Sequence, residues 1–193
     1  NTRAVECARE AADLYNRKTP EKPRFVAGSI GPTTQTASIS PRVEDPGYRS
    51  ITFDQHVDSY YQQVSSLVRA GVDILFPETT FDTLNLKACL FAIEKYFEDE
   101  GIRIPVMAPV TITDEAGRTL SGQTIEAFWN SVSHANLLSI GINCALGPAS
   151  MRPYVEELSR IAPTYTSCHP NAGLPNEFGG FDESAEEMAE SMQ

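Results

Sequence analysis

Five times along the chain a short apolar run ends in a polar cluster, and a stretch with helical periodicity follows directly or after a loop. The runs read "RFVAGSIG", "VDILFPETTFD", "IPVMAPVTITD", "LLSIGINCALG" and "TYTSCHPNAGLP". This alternation points to an α/β fold, because parallel strands need crossover connections that are usually helical. Runs that are apolar nearly throughout, rather than at every second residue, predict strands buried on both faces of a parallel sheet. A helix over residues 1–17 precedes the first cycle, with Val5, Ala8, Ala12 and Tyr15 at helical spacing and Pro20 and Pro23 beyond its end.

Start and stop signals frame the helices between the runs. Thr52 stands as N-cap and Gly71 as terminator of one helix, and Gly101 ends the next, which starts near Thr83. Two shorter helices are expected from about Gln123 to His134 and from about Ala149 to Ile161, with an acidic one last. Between residues 31 and 50 lies a Ser/Thr/Pro-rich stretch with no period, and ordered loops of that length are usually functional.

An open doubly wound sheet and a (β/α)₈ barrel both satisfy the alternation. No G-x-G-x-x-G follows any strand, and polar residues close every strand instead of converging on one switch point, which favours the barrel. A full barrel takes about 250 residues and eight strands. The expectation is therefore an α/β, parallel TIM barrel with about five of its eight strand-helix units, forming one domain over residues 1–193. Opening a closed barrel exposes sheet edges, so self-association through those edges is expected too.

Charge narrows the partners. With 26 acidic against 15 basic residues and a net charge of -11, the chain lacks the basic footprint of a nucleic-acid binder. No apolar run approaches the eighteen or so residues of a membrane span. Cys7, Cys89, Cys144 and Cys168 are far apart without a C-x-x-C pair, which fits a reducing cytoplasm. The start at Asn1, with neither methionine nor leader, reads as a processed chain or an excised piece.

In a parallel barrel the strand carboxyl ends share one mouth, where ligands bind. The segments expected there are "GSIGPTTQT", "PETTFDTLN", "VTITDEAGRTLSGQT", "NCALGP" and "CHPNAGLPNEFGG". They bring a carboxylate at Glu78 with Asp82 nearby, an amide and a thiol at Asn143 and Cys144, and a second thiol with an imidazole at Cys168 and His169.

Five tags, "VAGSIGPT", "ETTFDTLNLKA", "GRTLSGQT", "GINCALGP" and "HPNAGLPN", resemble in order the homocysteine-binding barrel of the cobalamin-dependent methionine synthases. The betaine-homocysteine methyltransferases share the barrel and the N-C-x-x-G pattern, but the third and fifth tags are closer to the synthases. The resemblance implies strands three to seven of the domain. It implies a methyltransferase of methionine biosynthesis in which homocysteine binds a zinc ion held by three cysteine thiolates and takes a methyl group from methylcobalamin. The methylcobalamin rides on a cobalamin-binding module, with a folate-binding module in the same polypeptide. Zinc suits the task because a thiol is a weak nucleophile until a cation removes its proton.

On this resemblance Cys144 is the first zinc ligand, and the other two are an adjacent pair in a "GGCCG" motif absent from this sequence, so the chain alone is expected to be inactive. Glu78 is expected to meet the substrate ammonium, and Asn143 with the backbone at Ala145 its carboxylate. Two departures affect the shape of the mouth: Pro77 before Glu78, and "MAPVTITD" where small residues are common. Other residues get plainer roles. Cys168 packs, Cys7 and Cys89 pack on helix faces, His56 and His134 lie at the surface, His169 braces its loop, Asp82 caps a helix, and Asn85 and Arg118 organise the rim. A non-catalytic module that holds an amino acid or mediates assembly is the competing reading.

Overall fold

The computed structural model describes residues 1–113, 116–173, 177–181 and 183–192. The strand-helix alternation is present. The order is α1 (Thr2–Lys18), β1 (Ala27–Ile30), α2 (Phe53–Arg69), β2 (Ile74–Pro77), α3 (Thr83–Glu100), β3 (Met107–Val110), α4 (Ile125–Val132), β4 (Ser139–Asn143), α5 (Pro148–Ile161), β5 (Tyr165–His169) and α6 (Ala185–Ser191). These are the parallel strands and six helices of a partial TIM-barrel-like domain, with no closed barrel among the described residues. No helix among them is long and apolar enough to cross a membrane.

The residues gather into two compact units. The first comprises Asn1–Pro77 and Leu84–Met107, the second Glu78–Thr83 and Ala108–Gln193. In the first, β1 and β2 pair in parallel from Ala27 opposite Ile74 to Ile30 opposite Pro77. Pro77 thus closes its strand, a place where its missing N–H is tolerated more readily than in mid-strand. Helix α2 is bounded by its own chemistry. The Thr52 side chain accepts from Gln55 N–H while the Gln55 side chain accepts from Thr52 N–H, and Gly71 at φ 92° turns the chain out. Such a cap contributes about 1 kcal/mol.

The inward face of α1 differs from the expected one. Val5 and Ala12 are buried, but Ala8 and Tyr15 are exposed. The half-buried positions between and beyond them are Arg9 and Asn16. Arg9 donates to Asp73 Oδ2 and Gly71 O, both at 2.7 Å, and Asn16 accepts from Arg24 N–H at 2.7 Å. Polar partners, not an apolar stripe, set this helix's rotation. Cys7, expected to pack, is exposed for the same reason. His56, expected at the surface, is buried: it stacks on Tyr60, and its Nδ1 lies 3.5 Å from Thr33 Oγ1. The loop between β1 and α2 folds back over it. Asn85 holds that loop, donating to Gln35 O and Thr33 Oγ1 and accepting from Ala37 N–H at 2.7 Å.

In the second unit the strand order is β3-β4-β5. β4 and β5 run in parallel register from Ser139 opposite Tyr165 to Asn143 opposite His169. Every residue of β4 is buried. β5, which pairs with β4, has exposed ends and half-buried centre, so full burial on both faces holds for β4 and not for all strands. Gly141 permits the close approach of β5: a Cβ there would lie 2.1 Å from Ser167 Oγ and 2.3 Å from Ser167 O. Helix α4 ends at Val132, capped by Thr124 at its start, and His134 is exposed in the turn beyond it.

Candidate functional site

The polar residues of the second unit converge where β4 ends. Asn143, its last residue, is only 2% exposed, and its amide sits in a cage of named partners. Thr79 N–H donates to Asn143 Oδ1 at 3.0 Å, and the Thr111 hydroxyl donates to Asn143 O at 3.1 Å. A backbone N–H can only donate, so this contact fixes which end of the amide is oxygen. The amide nitrogen then faces Glu78 Oε2 at 3.0 Å, Thr79 Oγ1 at 3.1 Å and Cys144 Sγ at 3.4 Å. Thr79 Oγ1 lies 3.6 Å from Cys144 Sγ. That oxygen accepts from Asn143, and between it and the thiol either atom can be the donor, so amide, hydroxyl and thiol form one polar cluster.

Backbone strain collects at the same place. Among the described residues, the non-glycine residues at positive φ are Thr79 (58°), Cys144 (60°) and Ala145 (62°). Left-handed backbone costs an L-residue roughly 1–2 kcal/mol, and more is at stake for a branched residue such as threonine. Leu146 N–H reaches back to Cys144 O at 2.7 Å, a γ-turn about Ala145 with positive φ, the rarer and more strained kind. Cys144 N–H still joins the sheet by donating to His169 O at 3.1 Å, and Asn171 N–H holds the turn's far end by donating to Leu146 O at 3.0 Å. Strain of this sort persists where surrounding structure over-determines it, and it clusters at functional sites.

Glu78, Asn143 and Cys144 are thus brought together, with Ala145 in the same turn; Glu78, Cys144 and Ala145 are half-buried. Thr79 and Thr111 are the participants that sequence reasoning missed. Cys168 is elsewhere: its thiol lies 3.7 Å from Met151 Sδ on α5, and burial raises its pKa. Cys89 is wholly buried, and burial pushes its thiol well above the usual range. Asp82 is buried immediately before α3. The "GRTLSGQT" segment ties to residues 81–83, where Ser121 donates to Phe81 O and Thr83 Oγ1 bonds the Gln123 side chain, and it is braced within itself by Arg118 donating to Gly122 O. Of the five tags, Leu174 to Asn176 in "HPNAGLPN" lie outside the described residues, as do Asp114 and Glu115 before "GRTLSGQT".

Among the described residues no three His, Cys, Asp or Glu side chains converge as a metal site requires. With Cys168 turned to Met151, Cys144 is the thiol available at this strand end. The donor set fits one corner of a three-thiolate zinc site and does not by itself make one.

A fold of parallel strands each followed by a helix, with a carboxylate, amide and thiol together beyond strand ends, is a segment of an α/β barrel. More narrowly, the chain belongs to the homocysteine S-methyltransferase family, whose profile matches residues 1–193. Its fold is similar to that of the Escherichia coli homocysteine methyltransferase MmuM. The apo form superposes with a TM-score of 0.71 at 21% identity, covering 89% of this chain and 59% of that one. The metallated form gives 0.67 at 21% identity over 89% and 57%. The oxidised form gives 0.66 at 19% identity over 88% and 56%. The chain therefore spans under three fifths of that enzyme's length.

Proposed function

We propose that the cluster of Glu78, Asn143 and Cys144 is the homocysteine-binding end of a methyltransferase of the cobalamin-dependent methionine synthase type. The observation that carries this reading is the 3.0 Å hydrogen bond from the Asn143 amide to Glu78 Oε2, made while the same amide faces the Cys144 sulfur. One neutral group aims a carboxylate and a thiol from a single buried point, as a substrate with an ammonium at one end and a sulfur at the other requires. Glu78 is half-buried, so its contact with an ammonium would be charge-assisted and only partly screened. The backbone of the Ala145 turn is the proposed contact for the substrate carboxylate, while Asn143, expected from the sequence to share that contact, is buried with its amide directed at Glu78 and the sulfur and serves to keep them in place. Zinc, where a full ligand set is assembled around Cys144, supplies the positive charge that keeps the homocysteine thiol deprotonated. The order and wording of "GRTLSGQT" and "HPNAGLPN" favour methylcobalamin over betaine as methyl source.

Titration with homocysteine, in the presence of zinc, tests the reading. Wild-type protein is expected to bind, and Glu78→Gln to bind at least about tenfold more weakly, the worth of one charge-assisted hydrogen bond. Equal binding of homocysteine by Glu78→Gln would remove Glu78 from the site. Zinc stoichiometry after dialysis against a mild chelator sharpens the metal assignment. Tight one-to-one zinc on the 193-residue chain, lost in Cys144→Ser, would mean that residues of this chain complete the site.

A further inference from the structure

Thr79 carries a cost that its position does not explain. It is a β-branched residue at φ 58°, where glycine or asparagine would sit with less strain, and it lies just after Pro77 and Glu78 at the end of β2. Its backbone N–H could hold Asn143 Oδ1 whatever the side chain. The hydroxyl adds two contacts that glycine could not make: it accepts from Asn143 Nδ2 at 3.1 Å and lies 3.6 Å from Cys144 Sγ. Thr111 Oγ1 donates to the backbone carbonyl of Asn143 at 3.1 Å and lies 3.4 Å from the amide oxygen Oδ1.

We infer that Thr79 is a positioning residue: its N–H and hydroxyl grip both ends of the Asn143 amide, turning the nitrogen toward Glu78 and Cys144, and the strained backbone is what brings both groups to bear at once. The amide nitrogen has two protons for three acceptors, so its direction is decided by whichever neighbours hold the oxygen end and the middle acceptor. Thr79 supplies the middle acceptor and the shorter of two contacts to the oxygen end, the other being Thr111 Oγ1 at 3.4 Å. Without the hydroxyl, a methyl in its place would face an N–H, and the amide would turn or lose a partner. The inference rests on the reading of Glu78, Asn143 and Cys144 as the site, but its geometry concerns this chain's residues alone.

Three substitutions separate positioning from mere folding. Thr79→Ser keeps the hydroxyl, Thr79→Val keeps the shape without it, and Thr79→Gly removes both hydroxyl and strain. The readout is hydrogen exchange of the Asn143 side-chain amide, followed by NMR with asparagine-selective ¹⁵N labelling, beside a urea melt of each variant. Thr79→Val is expected to speed exchange at Asn143 by about tenfold, the worth of one buried side-chain hydrogen bond, and Thr79→Ser by less than about threefold. Thr79→Gly is expected to speed exchange as well while melting at or above the wild-type midpoint. Unchanged exchange in both Thr79→Val and Thr79→Gly would overturn the inference, as would Thr79→Ser behaving like Thr79→Val. Should Thr79→Val not fold, the serine and glycine variants carry the test. Homocysteine titration of the same set keeps the two claims apart. Wild-type protein that protects the Asn143 amide, beside a Glu78→Gln variant that binds homocysteine no more weakly than wild type, would sink the proposed function and leave the role of Thr79 standing.

Discussion

The two sheets are built from apolar runs of similar composition, yet they are buried differently. In β1 exposure alternates, with Gly28 and Ile30 buried and Ala27 and Ser29 exposed, whereas all five residues of β4 are buried. β1 pairs with β2, while β4 lies between β3 and β5. A strand held on both edges and both faces has little freedom, and its last residue inherits that rigidity. Asn143 is that residue, and the strained turn of Cys144 and Ala145 springs from it. The polar loop of the first unit, by contrast, is held by side chains: Asn85 reaching from a helix, and Arg49 donating to the carbonyls of Ala37, Ser38, Pro46 and Tyr48. The site's backbone is fixed by the enclosed strand, the loop's by side-chain hydrogen bonds beyond the half-open one.

Two glycines sharpen the comparison most. A Cβ on Gly141 would meet Ser167 Oγ at 2.1 Å and the backbone oxygen of Ser167 at 2.3 Å, so Gly141→Ala is expected to cost about 3 kcal/mol or more in urea denaturation. Gly28→Ala would place its Cβ 3.2 Å from Leu67 Cδ1 and Val72 Cγ1, side chains that can give a few tenths of an ångström. Its expected cost is within about 1 kcal/mol. Equal costs would mean that β4 is no more tightly enclosed than β1.

A smaller effect is expected from Asn85→Ala. It takes the acceptor from Ala37 N–H and one partner each from Gln35 O and Thr33 Oγ1, which still bond each other at 2.6 Å, for about 2 kcal/mol, with raised amide exchange concentrated in residues 33–37. Exchange that rises across the whole first unit would show that this loop is integral to its core.

The smallest effect concerns acid. Arg103 holds the Glu94 carboxyl below its ordinary range, and Lys95 with Tyr61 does the same for Asp99. Groups whose folded pKa is depressed contribute stability that is present above the unfolded pKa and lost as pH falls through the folded one. Stability of the first unit should therefore fall modestly below the ordinary carboxylate range. Glu94→Gln with Asp99→Asn should flatten that slope by a small amount, since these are exposed ion pairs. An unchanged slope in the double variant would assign the acid sensitivity to other groups.

Much of this was legible in the residues. Thr52, Gly71 and Gly101 mark helix ends through local chemistry that needs no tertiary context, and the structure uses all three as read. Glu78, Asn143 and Cys144 stood out because rare chemistry at strand ends is conspicuous. Thr79 and Thr111 did not, since hydroxyls are common and a positive φ at threonine leaves no trace in composition. His56 and the face of α1 were misread because their burial depends on residues far along the chain: Thr33 for the one, Asp73 for the other.

The caged amide also bears on how such a molecule ages. Asparagine loses ammonia over time to become aspartate, a change of almost no volume. At position 143 it would set a second carboxylate against Glu78, where a donor now stands 3.0 Å away, and the pair would then need to share a proton. A lattice that pins the amide and its neighbouring backbone N–H slows that drift, so the contacts that arrange the cluster also protect it from chemical wear.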